Sequence, residues 1–341
     1  MVSDPRGSPR YFGEEDGDLT LLRTRRVAIL GFGNQGRAQA LNLRDSGIEV
    51  TVGLRSGSPS VRRVEDEGLR WSGLDEAVRL SDLIMVLVPD EVQGTLYDRV
   101  IGPGLRPGKA LGFSHGFALR FGTIAPPSDV DVLVVAPKGP GSALRANYKE
   151  GGGLPALVAV ERDATGRALS LALAYAKGIG CLRCGGLEVT AATETEADLF
   201  GEQSVLCGGL AALAEAAFDA LVEAGFPPEV AYIECVQEIK AMVDRLFELG
   251  PEGMWEGASG TARYGGLTRG PGLITKDLRD VLARMLEDVR SGRFAREWME
   301  AAGRGDFRWE DLRPGDRPID RAGREVRKQL KWGPRKTDPD R

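Results

Sequence analysis

Residues 26–36 read Arg-Val-Ala-Ile-Leu-Gly-Phe-Gly-Asn-Gln-Gly, an apolar run that passes into three glycines spaced as G-x-G-x-x-G. The apolar run predicts a buried strand, and a helix-like stretch follows from about 35 to 46. A glycine motif between a strand and a helix indicates a turn that binds a dinucleotide. The glycines permit a tight turn and a close approach to the pyrophosphate, while the helix N-terminus supplies N–H donors. The alternative is a glycine-rich turn without a ligand.

The rest of the first half repeats this alternation of strands and helices. Further apolar runs predict strands at 48–54, 82–88, 109–114, 130–137 and 157–161. Strands that alternate with helical stretches predict an α/β fold, here a Rossmann-type doubly wound parallel sheet. The runs consist almost entirely of Val, Ile and Leu, which indicates that both faces of the sheet are covered.

Beyond about residue 190 the pattern is helical throughout. Helices are predicted at about 192–223, 229–249, 275–291 and 293–302. The chain is therefore predicted to have four regions. They are a flexible N-terminal arm at 1–18, a Rossmann domain for the nucleotide at 19–190, an all-α C-terminal domain at 191–333, and a disordered tail at 334–341.

Composition excludes several classes of function. The 341 residues carry a formal net charge of -5, so no basic excess exists to neutralise a nucleic-acid backbone. No unbroken run of about 18 apolar residues occurs, and on that ground no membrane span is expected. Four cysteines in a chain of this length suit a reducing cytoplasm, the predicted location.

The loop after the second predicted strand indicates which dinucleotide binds. An NAD site usually has an acidic residue there, about 20 residues after the glycine motif. Here the loop holds Arg55, Ser58 and Ser60 and no carboxylate. An arginine with neighbouring hydroxyls suits the 2′-phosphate of NADP. The alternative is an ordinary solvated arginine.

Two helices of the second half carry paired acids. Asp198 and Glu202, and likewise Glu234 and Glu238, are four residues apart and share a helix face. Four converging carboxylates would bind hard cations such as Mg²⁺, and two such ions could clamp neighbouring substrate oxygens. The alternative is two solvated acidic faces, which are common in helices.

Three other positions are candidates for chemistry or packing. His115 and Lys138 each follow a predicted strand, where side chains face the ligand crevice of an α/β sheet. A structural histidine and a surface lysine are the alternatives. Cys181 and Cys184 form a C-x-x-C pair without a second pair or clustered histidines, which indicates packing or a loop rather than zinc.

Taken together, the motifs resemble the short, class I form of the ketol-acid reductoisomerase family from about residue 19 to 333. The most specific stretch is Glu-Thr-Glu-Ala-Asp-Leu-Phe-Gly-Glu-Gln at 194–203, which continues to Gly209. The segments 52–55, 89–91, 114–116, 136–138, 151–153 and 231–238 match as well.

The resemblance implies an NADP-dependent oxidoreductase with an isomerase step. Its substrates would be 2-acetolactate or 2-aceto-2-hydroxybutyrate, and its cofactors NADPH and two Mg²⁺ ions. Alkyl migration followed by reduction would give a 2,3-dihydroxy acid for valine and isoleucine biosynthesis. The all-α domain would hold metal and substrate and interleave with that of a partner chain, so that a homodimer or larger homo-oligomer shares its active sites.

The resemblance also implies roles for individual residues. The predicted cofactor contacts are Phe32, Gly33, Asn34, Gln35, Arg55, Ser58, Ser60 and Gly141; the metal ligands are Asp198, Glu202, Glu234 and Glu238; Ser259 contacts the substrate carboxylate; and the catalytic residues are His115, Lys138 and Glu238, the last as acid or base.

Some positions depart from the family pattern. Asn34 stands where serine is frequent, and Arg263 stands where an acidic residue is usual. These changes would also suit a specialised paralogue that acts on a related hydroxy-keto acid. A metal-free NADP-dependent hydroxyacid dehydrogenase and a non-catalytic NADP-binding regulator are two further competing interpretations of the sequence.

Overall fold

A computed structural model describes residues 9–312 and 315–330 of the chain. Contacts divide the chain into two units, one up to Asp198 and one from Leu199 onward. We call them the sheet unit and the helical unit. The division falls inside a helix, somewhat later than the boundary predicted between 190 and 191.

The sheet unit is built on nine strands in the order β1-β9-β8-β7-β6-β5-β2-β3-β4. The strands are β1 (Tyr11–Phe12), β2 (Val27–Leu30), β3 (Val50–Leu54), β4 (Arg70–Gly73), β5 (Leu83–Val86), β6 (Ala110–Phe113), β7 (Asp131–Pro137), β8 (Ala156–Arg162) and β9 (Gly186–Glu188). Every pairing is parallel except β7 with β8 and β1 with β9. The Rossmann-type α/β fold is confirmed, with a sheet that is mixed at one side.

Helices cover both faces of this sheet. They are α1 (Thr20–Arg23), α2 (Asn34–Asp45), α3 (Ser60–Asp66), α4 (Leu74–Leu80), α5 (Asp90–Leu96), α6 (Gly102–Gly104), α7 (Phe117–Arg120), α8 (Gly141–Lys149), α9 (Ala168–Gly178) and α10 (Ala191–Gly201), with a π-helical turn at Tyr97–Ile101 and 3₁₀ turns at Glu14–Asp16 and Cys181–Arg183. Along β2, Ile29 belongs to one buried cluster and its neighbours Ala28 and Leu30 to the other. Alternate side chains thus point to opposite, equally apolar faces, as parallel strands require.

The N-terminal segment differs from the predicted flexible arm at 1–18. Residues 1–8 lie outside the described part, but Tyr11 and Phe12 form an edge strand on β9. The Phe12 ring is buried, and Lys177 Nζ donates to the carbonyl oxygens of Glu14 and Gly17. The composition suggested an unstructured arm, yet backbone pairing and one buried ring hold it on the sheet. The tail predicted at 334–341 lies outside the described residues.

The described part of the helical unit contains helices and no strand, as predicted. The α-helices are α11 (Gly208–Glu223), α12 (Pro228–Tyr232), α13 (Ile239–Glu256), α14 (Gly260–Leu273), α15 (Lys276–Arg290), α16 (Arg293–Gly303), α17 (Trp309–Leu312) and α18 (Pro318–Gln329), with π-helical turns at Glu202–Leu206 and Ile233–Gln237. Its core is small and centres on Phe218, Tyr232, Ile319 and Val326.

One helical run, Ala191–Glu223, is long and apolar enough to span a membrane by length and composition alone. No such segment was expected from the sequence, because the apolar residues of this stretch do not form an unbroken run. Alanine and leucine keep the hydropathy high between scattered acidic residues. Its first part, up to Asp198, belongs to the sheet unit, and there Glu194 and Asp198 are ion-paired with Lys138.

Candidate active site

The glycine turn between β2 and α2 has a geometry that demands glycine. Gly31 has φ of 99°, and a Cβ there would lie 2.7 Å from the Leu87 carbonyl oxygen. A Cβ on Gly36 would overlap the carbonyl oxygen of Gly31. The turn leaves Gly33 and Asn34 exposed at the start of α2. This helix N-terminus is therefore open to an anionic group.

A second loop, after β7, packs against this turn. Gln35 Nε2 donates to the Gly139 carbonyl oxygen at 2.9 Å. A Cβ on Gly141 would overlap the Asn34 carbonyl oxygen, so only glycine fits there. The structure thus brings together Asn34, Gln35 and Gly141, three of the residues predicted to contact the cofactor.

The loop after β3 lies beside the same turn, because the Gly31 N–H donates to the Gly53 carbonyl oxygen at 3.1 Å. Arg55 is exposed, and Ser58 Oγ accepts from the Ser60 N–H at 3.3 Å. Phe32 is buried under the Arg63 guanidinium, which lies 5.9 Å from its ring centre. The positive charge and hydroxyls of this loop suit a 2′-phosphate.

Four ionisable side chains meet at the carboxyl ends of β6 and β7. Lys138 Nζ donates to Glu194 Oε1 at 2.7 Å and to Asp198 Oδ1 at 2.9 Å. His115 Nδ1 lies 3.1 Å from Glu194 Oε2 and 3.4 Å from Asp198 Oδ2. The Gly116 N–H donates to Glu194 Oε2 at 2.9 Å. We call His115, Lys138, Glu194 and Asp198 the charged cluster.

Glu194 is the anchor of the charged cluster. Its side chain is only 1% exposed, and burial alone would raise the pKa of its carboxyl. The hydrogen bond and charge of His115 and the charge of Lys138 outweigh burial and lower this pKa to about 2. Burial lowers the pKa values of His115 and Lys138, but the carboxylates outweigh that effect and raise both. The cluster is thus a compact group in which each basic side chain is paired with a carboxylate.

The cluster also has the donor chemistry of a cation site. In the described part of the chain, His115, Glu194 and Asp198 are the one set of three such residues with potential ligand atoms all within 4.8 Å. Asp198 is the accessible carboxylate, at 26% exposure of its side chain, whereas Glu194 is enclosed. Oxygen donors of this kind fit Mg²⁺, and Asp198 is the member that could present one outward.

The remaining predicted ligands belong to the helical unit. Glu202 opens one π-helical turn, Glu234 lies in another, and Glu238 directly follows that turn. All three are exposed, as is Ser259, whose Oγ accepts from the Ala262 N–H at 3.3 Å and caps α14. Because these acids and Asp198 belong to different units, the convergence of four carboxylates remains a prediction. π-Helical turns occur frequently at functional sites.

Sequence reasoning assigned no role to Glu194, although the residue opens the most specific motif. A signal was present, because residues 194, 198 and 202 share one spacing of four. The Cys181–Cys184 pair, by contrast, holds free thiols. Cys181 is buried, which raises its thiol pKa, and Cys184 is exposed.

A Rossmann sheet with an open glycine turn, a basic loop after β3 and a charged cluster beside the crevice defines a class of protein. It is a dinucleotide-dependent oxidoreductase with an all-α second domain.

Comparisons with known proteins narrow this class. Residues 21–185 match the sequence model of the acetohydroxy acid isomeroreductase NADPH-binding domain, and residues 192–332 match that of the ketol-acid reductoisomerase C-terminal domain. A ketol-acid reductoisomerase (NADP(+)) from Kineococcus radiotolerans is 49% identical over 94% of this chain and 94% of its own.

Solved structures agree. An NADH-preferring ketol-acid reductoisomerase from an uncultured archaeal source superposes with a TM-score of 0.91 at 42% identity, over 95% of this chain and all of that one. An NAD-binding semialdehyde dehydrogenase from Cupriavidus necator has a TM-score of 0.60 at 23% identity, over 78% of this chain and 99% of its own, and shares the fold alone.

The chain therefore belongs to the ketol-acid reductoisomerase family. Its activity is that of the family, the NADPH-dependent conversion of 2-acetohydroxy acids in branched-chain amino acid biosynthesis. The first of the two family matches also confirms NADPH as the predicted dinucleotide cofactor.

Proposed function

We propose that the family reaction runs at the charged cluster, with the individual roles that the motifs imply. The observation that carries this proposal is the pairing of Lys138 and His115 with Glu194 and Asp198 where β6 and β7 end. Ligands of open α/β sheets bind in the crevice outside the carboxyl ends of the strands. The cluster therefore lies where the substrate and the nicotinamide ring would meet.

Cofactor contacts come from three loops that the sheet brings side by side. We assign them to Phe32, Gly33, Asn34, Gln35, Arg55, Ser58, Ser60 and Gly141. The Gly31–Gly36 turn would hold the pyrophosphate and the Arg55 loop the 2′-phosphate. Gly141 approaches Asn34 so closely that no side chain would fit between the glycine turn and the loop after β7.

The reaction requires that negative charge be stabilised on neighbouring oxygens of the substrate. Alkyl migration leaves negative charge on one oxygen, and the Lys138 ammonium is held in place to stabilise it. Asp198, Glu202, Glu234 and Glu238 would hold Mg²⁺, which would supply Lewis acidity to the reaction. Glu238 would exchange a proton with a substrate hydroxyl, as a carboxyl group within hydrogen-bond reach can.

Glu194 acts in this scheme as a positioning residue. Its enclosed carboxylate holds both His115 and Lys138, so neither side chain can leave the crevice without breaking a hydrogen bond to that carboxylate. Ser259 has a different task. Because its oxygen already accepts from the Ala262 N–H, its hydroxyl proton is available to the substrate carboxylate.

A homodimer with shared active sites is the assembly that best accounts for the helical unit. Val205, Leu213 and Phe247 are 60%, 57% and 86% exposed. An apolar groove of about 450 Å³ is lined by Leu206, Leu210, Ala211, Ala214, Val236, Ile239, Lys240 and Val243. Monomers rarely expose apolar surface on this scale. A second copy of the helical unit would cover it. Glu234 and Glu238 of one copy would then bind metal together with the partner's Asp198 and Glu202.

A cytoplasmic location completes the proposal. All four cysteines carry free thiols, as expected for a protein that works in a reducing compartment.

Asp198→Asn tests the separation of metal chemistry from nucleotide binding. Substitution removes the accessible charged oxygen of the cluster, so Mg²⁺-dependent turnover of 2-acetolactate should be lost. NADPH affinity, measured by fluorescence titration, should stay within about twofold. Asp66→Asn, in an exposed ion pair of the same unit, is the matched control and should change neither quantity. An equal loss of turnover and NADPH affinity would contradict two separate sites.

The substrate is tested by a panel of three acids. We expect NADPH oxidation with 2-acetolactate and 2-aceto-2-hydroxybutyrate. We also expect it with 3-hydroxy-3-methyl-2-oxobutyrate, which requires no alkyl migration and therefore reports on the reduction step alone. Turnover of the third acid without either of the first two would identify the specialised paralogue instead. Full activity in EDTA would contradict a role for metal.

A further inference from the structure

A hydrogen-bonded chain of buried side chains leads from the back of the sheet unit to the crevice. Tyr175 on α9 and Gln39 on α2 are both fully buried. The Tyr175 hydroxyl donates to Gln39 Oε1 at 2.7 Å, and Gln39 Nε2 donates to Ser114 Oγ at 2.8 Å. We call Tyr175, Gln39 and Ser114 the relay. None of the roles proposed for the family reaction uses it.

The direction of the relay is fixed by its surroundings. Gln35 Nε2 is committed to the Gly139 carbonyl oxygen, so Gln35 Oε1 can only accept, and Gln39 Nε2 donates to it at 2.9 Å. A reversed Gln39 amide would set two oxygens against each other. Burial raises the pKa of Tyr175 well above its usual value, so its hydroxyl remains a donor to Gln39.

This direction has a consequence for Ser114. A serine hydroxyl has one proton and two acceptor lone pairs. Because Gln39 donates to Ser114, the Ser114 proton must point elsewhere. Across residues 9–312 and 315–330 Ser114 donates to no acceptor. The side chain is half-buried and directly follows β6, at the carboxyl end of the strand, the edge at which ligands of such sheets bind.

We propose that Tyr175 and Gln39 hold the Ser114 hydroxyl as a hydrogen-bond donor to the nicotinamide half of the bound cofactor. The proposal rests on the assignment of this crevice to NADPH. Ser114 contacts the ligand, and Tyr175 and Gln39 are positioning residues that act through it.

The order of the strands indicates that Ser114 would contact the nicotinamide half of the cofactor rather than the half that carries the 2′-phosphate. Arg55, the contact assigned to the 2′-phosphate, follows β3, whereas Ser114 follows β6. β5 and β2 lie between these two strands, so the residues lie on opposite sides of the glycine turn. Hydride transfer also requires the nicotinamide ring to reach the charged cluster, and Ser114 precedes His115 in the chain.

The test is a comparison of two ligands that differ in the nicotinamide half. NADPH and its analogue without nicotinamide, 2′-phospho-ADP-ribose, are titrated against the full-length protein by calorimetry. Loss of one hydrogen bond in Ser114→Ala should raise the Kd of NADPH by about threefold to tenfold. The Kd of the analogue should stay within about twofold.

Tyr175→Phe tests the relay itself. Without the tyrosine hydroxyl, Gln39 Oε1 is left buried without a donor, so the amide loses one of the contacts that hold it and positions Ser114 less firmly toward the ligand. NADPH affinity should fall by about twofold to fivefold, again without an effect on the analogue. The double variant should bind NADPH as Ser114→Ala does, because Tyr175 acts only through Ser114.

Tyr148→Phe is the matched control, since it removes a tyrosine hydroxyl bonded to Ser46 in the same unit. It should leave both Kd values unchanged. Additive effects of Ser114→Ala and Tyr175→Phe, or equal losses for both ligands, would overturn the relay. Unchanged NADPH binding in Ser114→Ala would overturn it as well, while leaving the proposed function intact. Failure of the unmodified protein to bind NADPH would overturn both.

Discussion

The sheet unit and the helical unit bury their apolar side chains to very different extents. In the sheet unit, two clusters of Val, Ile, Leu and Phe side chains fill both faces of the sheet. In the helical unit the buried cluster is small, and large side chains such as Leu213 and Phe247 are exposed. The difference indicates that the first unit completes its own core, and it supports the proposed assembly, in which a second copy of the chain covers the apolar face of the second unit.

The largest expected effect comes from placing a charge on the exposed apolar face of the helical unit. Leu213→Glu would bury an unpaired carboxylate between two copies. We expect association to weaken at least about 100-fold, which corresponds to about 3 kcal/mol, and activity to disappear with it. Sedimentation equilibrium and turnover of 2-acetolactate measure the two quantities.

Leu80→Glu provides the control from the sheet unit, where this leucine is also partly exposed. It should leave assembly and turnover unchanged. A Leu213→Glu protein that remains a fully active dimer would show that the exposed face of the helical unit is not the interface.

A second, smaller effect is expected inside the sheet unit. Glu194→Gln keeps the shape of the anchor but removes the charge that holds Lys138 and His115. Misplacement of these groups should lower kcat at least about 100-fold, while the protein still assembles and binds NADPH. Glu196→Gln, on the same helix and paired with Arg120, is the control. Retention of near-normal kcat by Glu194→Gln would show that the charged cluster is not the reaction site.

The smallest expected effect is on the free energy of unfolding and its pH dependence, at an ion pair that joins α2 to α8. Burial raises the pKa of the Asp45 carboxyl, but its hydrogen bonds and charge pairing with Arg44 and Arg145 lower it below the usual 3.8. Asp45 therefore stabilises the fold above its unfolded pKa, and this contribution is lost as the pH falls through the folded value. Asp45→Asn should cost less than about 1 kcal/mol near neutral pH and nothing at strongly acidic pH.

Urea unfolding at several pH values measures this trend. The gap between the unmodified protein and Asp45→Asn should begin to narrow below about pH 5. A gap that widens toward acidic pH would contradict the assigned direction of the pKa shift.

Much of the sheet could be predicted because its strands are fully buried. Each predicted apolar run from β2 to β8 corresponds to a strand, since burial on both faces leaves a continuous apolar signal. Two edge strands, β1 and β4, carried no such signal. β4 reads Arg-Trp-Ser-Gly and is largely exposed, so only pairing with β3 defines it.

The sequence predicted that the helical unit consists of helices, but it did not predict every one of them. The glycine-rich helix Gly260–Leu273 went unpredicted because its composition disfavours a helix. At the site, His115 and Lys138 were predicted because each follows a strand, and Asp198 because of the spacing of the acidic residues. The structure brings these three side chains together. The relay could not be predicted, since Gln39, Ser114 and Tyr175 are far apart in sequence and meet only through tertiary packing.

The two π-helical turns of the helical unit each coincide with a predicted metal ligand, Glu202 in one and Glu234 in the other. Such a turn amounts to one residue inserted into an α-helix. Deleting a single residue from within either turn would restore regular helix while the helix that follows keeps nearly its facing direction, because the wider π turn absorbs the extra residue locally. Each extra residue thus reshapes the backbone only beside the predicted ligand and leaves the orientation of the rest of the helix nearly unchanged.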